Sequence, residues 1–179
     1  MSKETALVVI DVQHGVVDWR DPAARGEEVL GRIGELLARA RAARAHVIYV
    51  QHEGEEGGRL SPGTRGWEIH AAVAPEAGEP VIHKRAADAF FETTLEEELR
   101  GRGVKRLVVV GCRTQYCVDT TCRRATTLGF DVTLASDAHT TAAEHLTAAQ
   151  IVAHHNATLD DFGNDRHVVT VRASREIEF

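Results

Sequence analysis

Six short β-branched runs, several of them apolar on both faces, recur along the chain: Ala6–Ile10, His46–Val50, Pro80–His83, Leu107–Val110, Val132–Ala135 and His167–Val171. A strand that is apolar on both faces has to be covered on both, and a parallel sheet with helical crossovers does this. Helical periodicity fills the intervals. It is clearest in Glu27–Arg44, where Val29, Ile33, Leu36, Leu37 and Ala40 share a face, and it returns in Thr93–Arg102, Gln115–Leu128 and Ala142–Leu159. The pattern predicts a three-layer α-β-α sandwich with a mostly parallel, about six-stranded Rossmann-like sheet. With 179 residues and 43% hydrophobic side chains, there is material for one domain with a substantial core, spanning 1–179.

Two stretches break the alternation. One is His14–Arg25. The other is Glu53–Gly78, which holds Gly54, Gly57, Gly58, Pro62, Gly63, Gly66 and Pro75. A loop of that length inside a small domain is usually a binding element or a lid. Arg172–Phe179 reads as a strand extension or a loose tail. The net charge of −6 argues against nucleic acid as a partner, since phosphate binding needs a clustered basic surface. Arg39, Arg41 and Arg44 do cluster, but on the solvated face of a predicted helix. No apolar run approaches the ~20 residues that span a bilayer, and the first residues lead straight into a strand without a signal-peptide pattern. A cytoplasmic protein without a membrane partner is expected. The three cysteines, at 112, 117 and 122, form no Cys-x-x-Cys pair and are expected as free thiols.

Ligands of open parallel sheets sit beyond the carboxyl ends of the strands. The first strand ends at Asp11, the third at Lys84, and the fourth stops at Gly111 and opens a helix with Cys117 in its first turn. A thiol over the positive end of a helix dipole is expected to have its pKa lowered from about 8.5 toward neutrality or below. A carboxylate to take the thiol proton and a cation to stabilise the thiolate complete a nucleophilic group. Other chemistries lack their residues. An aspartyl phosphatase needs a second carboxylate where Gln13 stands, and neither a Gly-x-Gly-x-x-Gly nor a Gly-Lys-Ser/Thr loop is present.

Four blocks carry a family resemblance: residues 6–13 (Ala-Leu-Val-Val-Ile-Asp-Val-Gln), 83–90 (His-Lys-Arg-Ala-Ala-Asp-Ala-Phe), 111–118 (Gly-Cys-Arg-Thr-Gln-Tyr-Cys-Val) and 125–138. With them the chain resembles the isochorismatase-like cysteine hydrolases, a superfamily that includes nicotinamidases and N-carbamoyl amidases. The resemblance implies Asp11 as general base, Lys84 as its partner and Cys117 as nucleophile. It also implies a cis peptide between Cys112 and Arg113, an oxyanion hole made by the backbone N–H groups of Arg113 and Cys117, and a thioester intermediate. Members that cleave the vinyl ether of isochorismate need no thiol, so Cys117 favours hydrolysis of an amide or related C–N bond. The vinyl ether reaction and a non-enzymatic α/β binding module are the alternatives.

The metal-binding Asp-x-His of nicotinamidases is missing after the second strand, where Gln51 and His52 stand, so neither metal nor cofactor is expected. The substrate is expected to be a small molecule. Trp19, Phe90, Arg113 and Tyr116 are the candidates to contact it, with Trp67 a further aromatic candidate, and Val16 replaces the usual aromatic of the opening motif. Asp137 and His139 are candidates for the edge of the site. His154, His155 and Asn156 are read as helix packing or a subunit contact, because adjacent helical residues face different directions. The family and the segment Ala142–Leu159 together imply a homo-oligomer of at least a dimer.

Overall fold

A computed structural model describes residues 2–18, 26–142 and 145–179. Strands β1 (Thr5–Ile10), β2 (His46–His52), β3 (Val81–Lys84), β4 (Arg106–Cys112), β5 (Asp131–Thr140) and β6 (Val169–Arg172) form one sheet in the order β3-β2-β1-β4-β5-β6. Every neighbouring pair is parallel. The two central strands are the most apolar, as strands covered on both faces must be: every residue of β1 is buried.

Alternation along β1 assigns the two cores. Leu7 and Val9 pack with Val29, Ile33, Leu36, Leu37 and Ala40 of helix α2 (Gly26–Ala42), which follows the short helix α1 (His14–Val17). Ala6, Val8 and Ile10 face the opposite layer, built from α3 (Leu95–Gly101), α4 (Asp119–Thr127) and α5 (Ala148–Leu159). The connections reverse direction between β1 and β4, so the crevice of the sheet opens beyond their carboxyl ends. Gly111 permits this closeness. Its φ is +119°, and a Cβ there would come within 2.0 Å of the Ile10 carbonyl oxygen.

Three element boundaries differ from expectation, each for a local reason. The helix expected over Gln115–Leu128 is split into a π-helical turn, Thr114–Val118, and α4. The helix expected over Ala142–Leu159 begins at Ala148, because the Thr147 side chain accepts the Gln150 N–H and the Gln150 side chain returns to the Thr147 backbone. The fifth strand runs past Ala135 to Thr140. Its register with β4 shifts between the pairs Val109–Leu134 and Gly111–His139, so β5 carries three extra residues there.

The loop Glu53–Gly78 is tied down by the start of α1. His14 N–H donates to the Glu68 carbonyl, Gly15 N–H to that of Gly66, and His70 N–H to that of Val12. Gln13, fully buried, adds a side-chain clamp: its Nε2 donates to the His52 and Trp67 carbonyls (2.9 and 2.7 Å), and its Oε1 accepts the His52 N–H (2.9 Å). The C-terminal segment is not a loose tail. Asp137 accepts from Ser174 N and Oγ at 2.7 and 2.9 Å, and Ile177 enters the core beside α2. Among the described residues, no helix is long and apolar enough to cross a membrane.

Candidate active site

Three stretches far apart in sequence end at the crevice. At the end of β1 the chain turns at Asp11, which takes a left-handed φ of 49° while its N–H donates to the Val50 carbonyl (2.9 Å). Aspartate tolerates that conformation better than most residues. At the end of β3 stands Lys84, and after β4 the Cys112–Arg113 peptide is cis and leads into the π-helical turn that carries Cys117. The turn brings the thiol back over the strand ends.

Lys84 is the centre of the group. Its side chain has 0% exposure, and its Nζ lies 2.7 Å from Asp11 Oδ2 and 3.3 Å from Cys117 Sγ. Two more acceptors surround the ammonium, the Ala86 carbonyl at 3.0 Å and His52 Nδ1 at 3.2 Å. An ammonium has three protons to share among these four acceptors. Because lysine only donates, His52 Nδ1 accepts and its proton sits on Nε2. Asp11 has a side chain only 3% exposed; its carboxylate pairs with the Lys84 ammonium and hydrogen-bonds the Cys117 thiol. It is placed to accept a proton from the thiol or a substrate.

The electrostatics of the thiol run opposite to expectation. Burial, and after it the Asp11 negative charge, push Cys117 up to about 12, with Lys84 opposing both. A helix end was expected to lower this pKa, but a short π-helical turn does not outweigh desolvation beside a carboxylate. The Cys117 thiol is therefore neutral at rest and would need a base to act as a nucleophile. Burial acts to lower the pKa of Lys84, and Asp11 and Cys117 outweigh it, so the net shift is upward and the ammonium is retained. Burial and then the Lys84 cation hold His52 below the usual histidine range, so it stays neutral. Cys112 is fully buried and also raised to about 12, while Cys122 is pushed up by burial.

A cavity of about 520 Å³ opens above the group, and Asp11, His52, Arg113, Tyr116 and Cys117 line it with Val16, Arg59, Leu60 and Ala87. Arg113 and Tyr116 thus lie on the cavity wall. Phe90, also expected there, does not: it lies in the core and stacks on Phe130 with ring centroids 6.0 Å apart, because an aromatic flanked by Ala89 and Leu95 buries more surface there. Trp19 lies outside the described residues. The Trp67 ring rests against His83, and its carbonyl serves Gln13 and Gln51. Asp137 anchors the C-terminal segment and is not among the residues that line the cavity.

Several lining residues were not singled out as contacts, His52, Arg59 and Leu60 among them. His52 pairs with Lys84 across β2 and β3, a register that no sequence pattern gives. Arg59 and Leu60 come from the glycine-rich loop, whose path depends on the Gln13 clamp.

One group among the described residues has the geometry to hold a metal: His14, Asp18 and His70. His14 Nδ1 is 2.8 Å from Asp18 Oδ2, and His70 Nε2 is 3.7 Å from Asp18 Oδ1. However, His70 Nδ1 accepts the Ala72 N–H (3.2 Å), which leaves the proton on Nε2, the atom facing Asp18. A protonated ring nitrogen is not a ligand. The group reads as a surface cluster in which His14 hydrogen-bonds Asp18 and the His70 ring packs against that of His14.

The sequence matches the isochorismatase domain model over residues 5–160. It is 40% identical over 136 residues to a streptothricin hydrolase of Streptomyces noursei, an alignment covering 76% of this chain and 54% of that protein. A ureidoacrylate amidohydrolase of Variovorax paradoxus is 28% identical over 173 residues, covering 76% of this chain and 69% of that one. The chain spans about half the length of the streptothricin hydrolases it matches, 54% and 49%. Among solved structures, an isochorismatase from Pseudomonas putida superposes with a TM-score of 0.87 at 30% identity, covering 98% of this chain and 90% of that one. A cysteine hydrolase from Pseudomonas syringae gives 0.84 at 25%, with 98% and 91% covered. The parallel sheet and the motif blocks now agree with an independent family match: this chain belongs to the isochorismatase family.

Proposed function

We propose that this hydrolase cleaves an amide or related C–N bond of a small molecule through a thioester on Cys117. The observation that carries the reading is the position of Lys84 Nζ, 2.7 Å from Asp11 and 3.3 Å from Cys117, the two residues of the group that line a cavity of small-molecule size. Vinyl ether cleavage has no use for the thiol. Relatives named as streptothricin hydrolase and ureidoacrylate amidohydrolase add support for C–N hydrolysis.

In this mechanism Asp11 takes the Cys117 proton as the sulfur attacks the carbonyl carbon, and Lys84 stabilises the negative charge that passes between them. The oxyanion that forms is held by the backbone N–H groups of Arg113 and Cys117. The C–N bond breaks as Asp11 returns the proton to the leaving nitrogen. Water then enters, Asp11 takes its proton, and its oxygen attacks the thioester. Collapse expels the sulfur, which regains a proton from Asp11, and the acid leaves. Retained cation, neutral thiol and a carboxylate that hydrogen-bonds the thiol match the starting point of this cycle.

Ammonia or amine release from a panel of small amides and carbamoyl compounds tests the assignment. Cys117→Ala should reduce turnover of the best substrate by at least about a thousandfold, with the acyl-enzyme visible by intact mass in the wild type. Turnover by Cys117→Ala near the wild-type rate would rule the thioester out. Self-association belongs to the same reading, supported by Phe91, Tyr116 and Leu146, which stand 55–56% exposed.

A further inference from the structure

Behind the oxyanion turn lies a buried polar chain that the mechanism above does not use. Thr114, the first residue of the turn, is fully buried, and its Oγ1 lies 2.9 Å from His139 Nδ1. His139 is 1% exposed at the end of β5, and its Nε2 lies 2.9 Å from Asn156 Oδ1 on α5. Asn156 Nδ2 donates to the Ser136 carbonyl at 3.0 Å. That last bond orients the rest. With Nδ2 on a carbonyl, Oδ1 faces His139 and accepts its Nε2–H, so Nδ1 carries a lone pair and accepts the Thr114 hydroxyl proton.

We propose that Asn156, His139 and Thr114 act as positioning residues that aim the oxyanion turn, and so the N–H groups of Arg113 and Cys117, from behind. The inference rests on the thioester reading above.

Thr114 directly follows Arg113 and stands three residues before Cys117. The turn hinges on one carbonyl: Tyr116 N–H and Val118 N–H both donate to Arg113 O, at 3.1 and 3.2 Å. Anchoring Thr114 to β5 therefore fixes where that carbonyl and the two flanking N–H groups point. The anchor is itself built by the sheet. The three extra residues of β5 set His139 beside Gly111 and Thr140 beside Cys112, bringing the imidazole level with the end of β4. An apolar filling of this junction would pack as well without giving direction, whereas hydrogen bonds do. Burial, with nearby His155 adding to it and Asn156 and Asp137 opposing, pushes His139 down to about 4. The imidazole stays neutral at working pH, and the donor and acceptor pattern of the chain does not change.

Two reactions of the same thiol separate aim from nucleophilicity. Acylation by p-nitrophenyl acetate passes through a tetrahedral oxyanion, while alkylation by iodoacetamide displaces iodide and forms none. Near-isosteric Thr114→Val should slow the acylation burst at Cys117 by about 10- to 100-fold, a fraction of what losing an oxyanion donor costs, while changing alkylation by no more than about twofold. Thr114→Ser keeps the hydroxyl and should restore acylation to within about threefold of wild type. Asn156→Ala, at the far end of the chain, should show the same selective loss to a smaller degree. Acylation by Thr114→Val at the wild-type rate would overturn the proposal. So would a parallel fall of acylation and alkylation in Thr114→Val and Asn156→Ala, which marks a merely structural role. Wild-type protein that gives no burst at Cys117 would instead overturn the thioester reading, and this inference with it.

Discussion

At the scale of single residues, the chemistry depends on which group holds the proton. Cys117, Cys112 and Cys122 all have raised pKa values through burial, so the folded protein keeps thiol protons that the unfolded chain releases above about 8.5. Stability from this source is complete below that pH and is lost as pH rises toward 12, by about 1.4 kcal/mol per pH unit for each thiol. Denaturant titrations across this range should show the decline; a flat profile would contradict it. Exposure separates the three. Cys112 and Cys122 are 1% and 0% exposed, whereas Cys117 reaches the cavity, so iodoacetamide should label native protein once, at Cys117, by peptide mass. The grouping of Asp11, Lys84 and Cys117 was legible because Asp11 follows β1, Lys84 ends β3 and Cys117 lies in the turn after β4, all beyond the carboxyl ends of the strands where ligands of such a sheet collect. The direction of the thiol shift was not legible, because desolvation depends on how the strands and the loop close around the sulfur. His52 was passed over for a related reason: its partner is set by strand register.

At the scale of elements, two contacts hold the site in shape. Gly111→Ala would drive a Cβ into the Ile10 carbonyl at a φ that L residues avoid, between the two strands that flank the crevice. A loss of at least about 3 kcal/mol is expected, a fall in Tm of roughly 6–12 °C for a chain of this length. Gln13→Ala removes three hydrogen bonds from a buried clamp and leaves the His52 N–H without its acceptor. Its signature should be local: faster limited proteolysis between residues 54 and 78 and weaker substrate binding, with the sheet intact. An unchanged cleavage rate would show that the loop is held by other contacts. The periodicity of the strands and of α2 was visible in sequence because a stripe repeats. The π-helical turn, the register shift in β5 and the clamp leave no periodic trace, since each is a single tertiary contact that overrides local preference.

At the scale of the whole molecule, the sheet order gathers residues 11, 52, 84 and 117 at one edge, and the proposed function belongs to that assembly. Exposed Phe91, Tyr116 and Leu146 lead us to expect a dimer or larger species in sedimentation velocity at micromolar protein, and a single ~20 kDa species would contradict that expectation. The apolar residues of α5, from which the sequence reading drew part of that expectation, do not support it, because Ile151, Val152 and Leu159 are buried within the protomer. In the proposed mechanism Asp11, Lys84 and Cys117 act as one coupled unit. Its most direct test is the pH profile of Cys117 alkylation in wild type, Lys84→Ala and Asp11→Asn. Removing the cation should shift the profile to higher pH and slow alkylation. Removing the carboxylate should shift it to lower pH and speed alkylation, while abolishing turnover for want of a base. Opposite shifts of this kind are the predicted result, and three superimposable profiles would show that Asp11 and Lys84 do not act on Cys117.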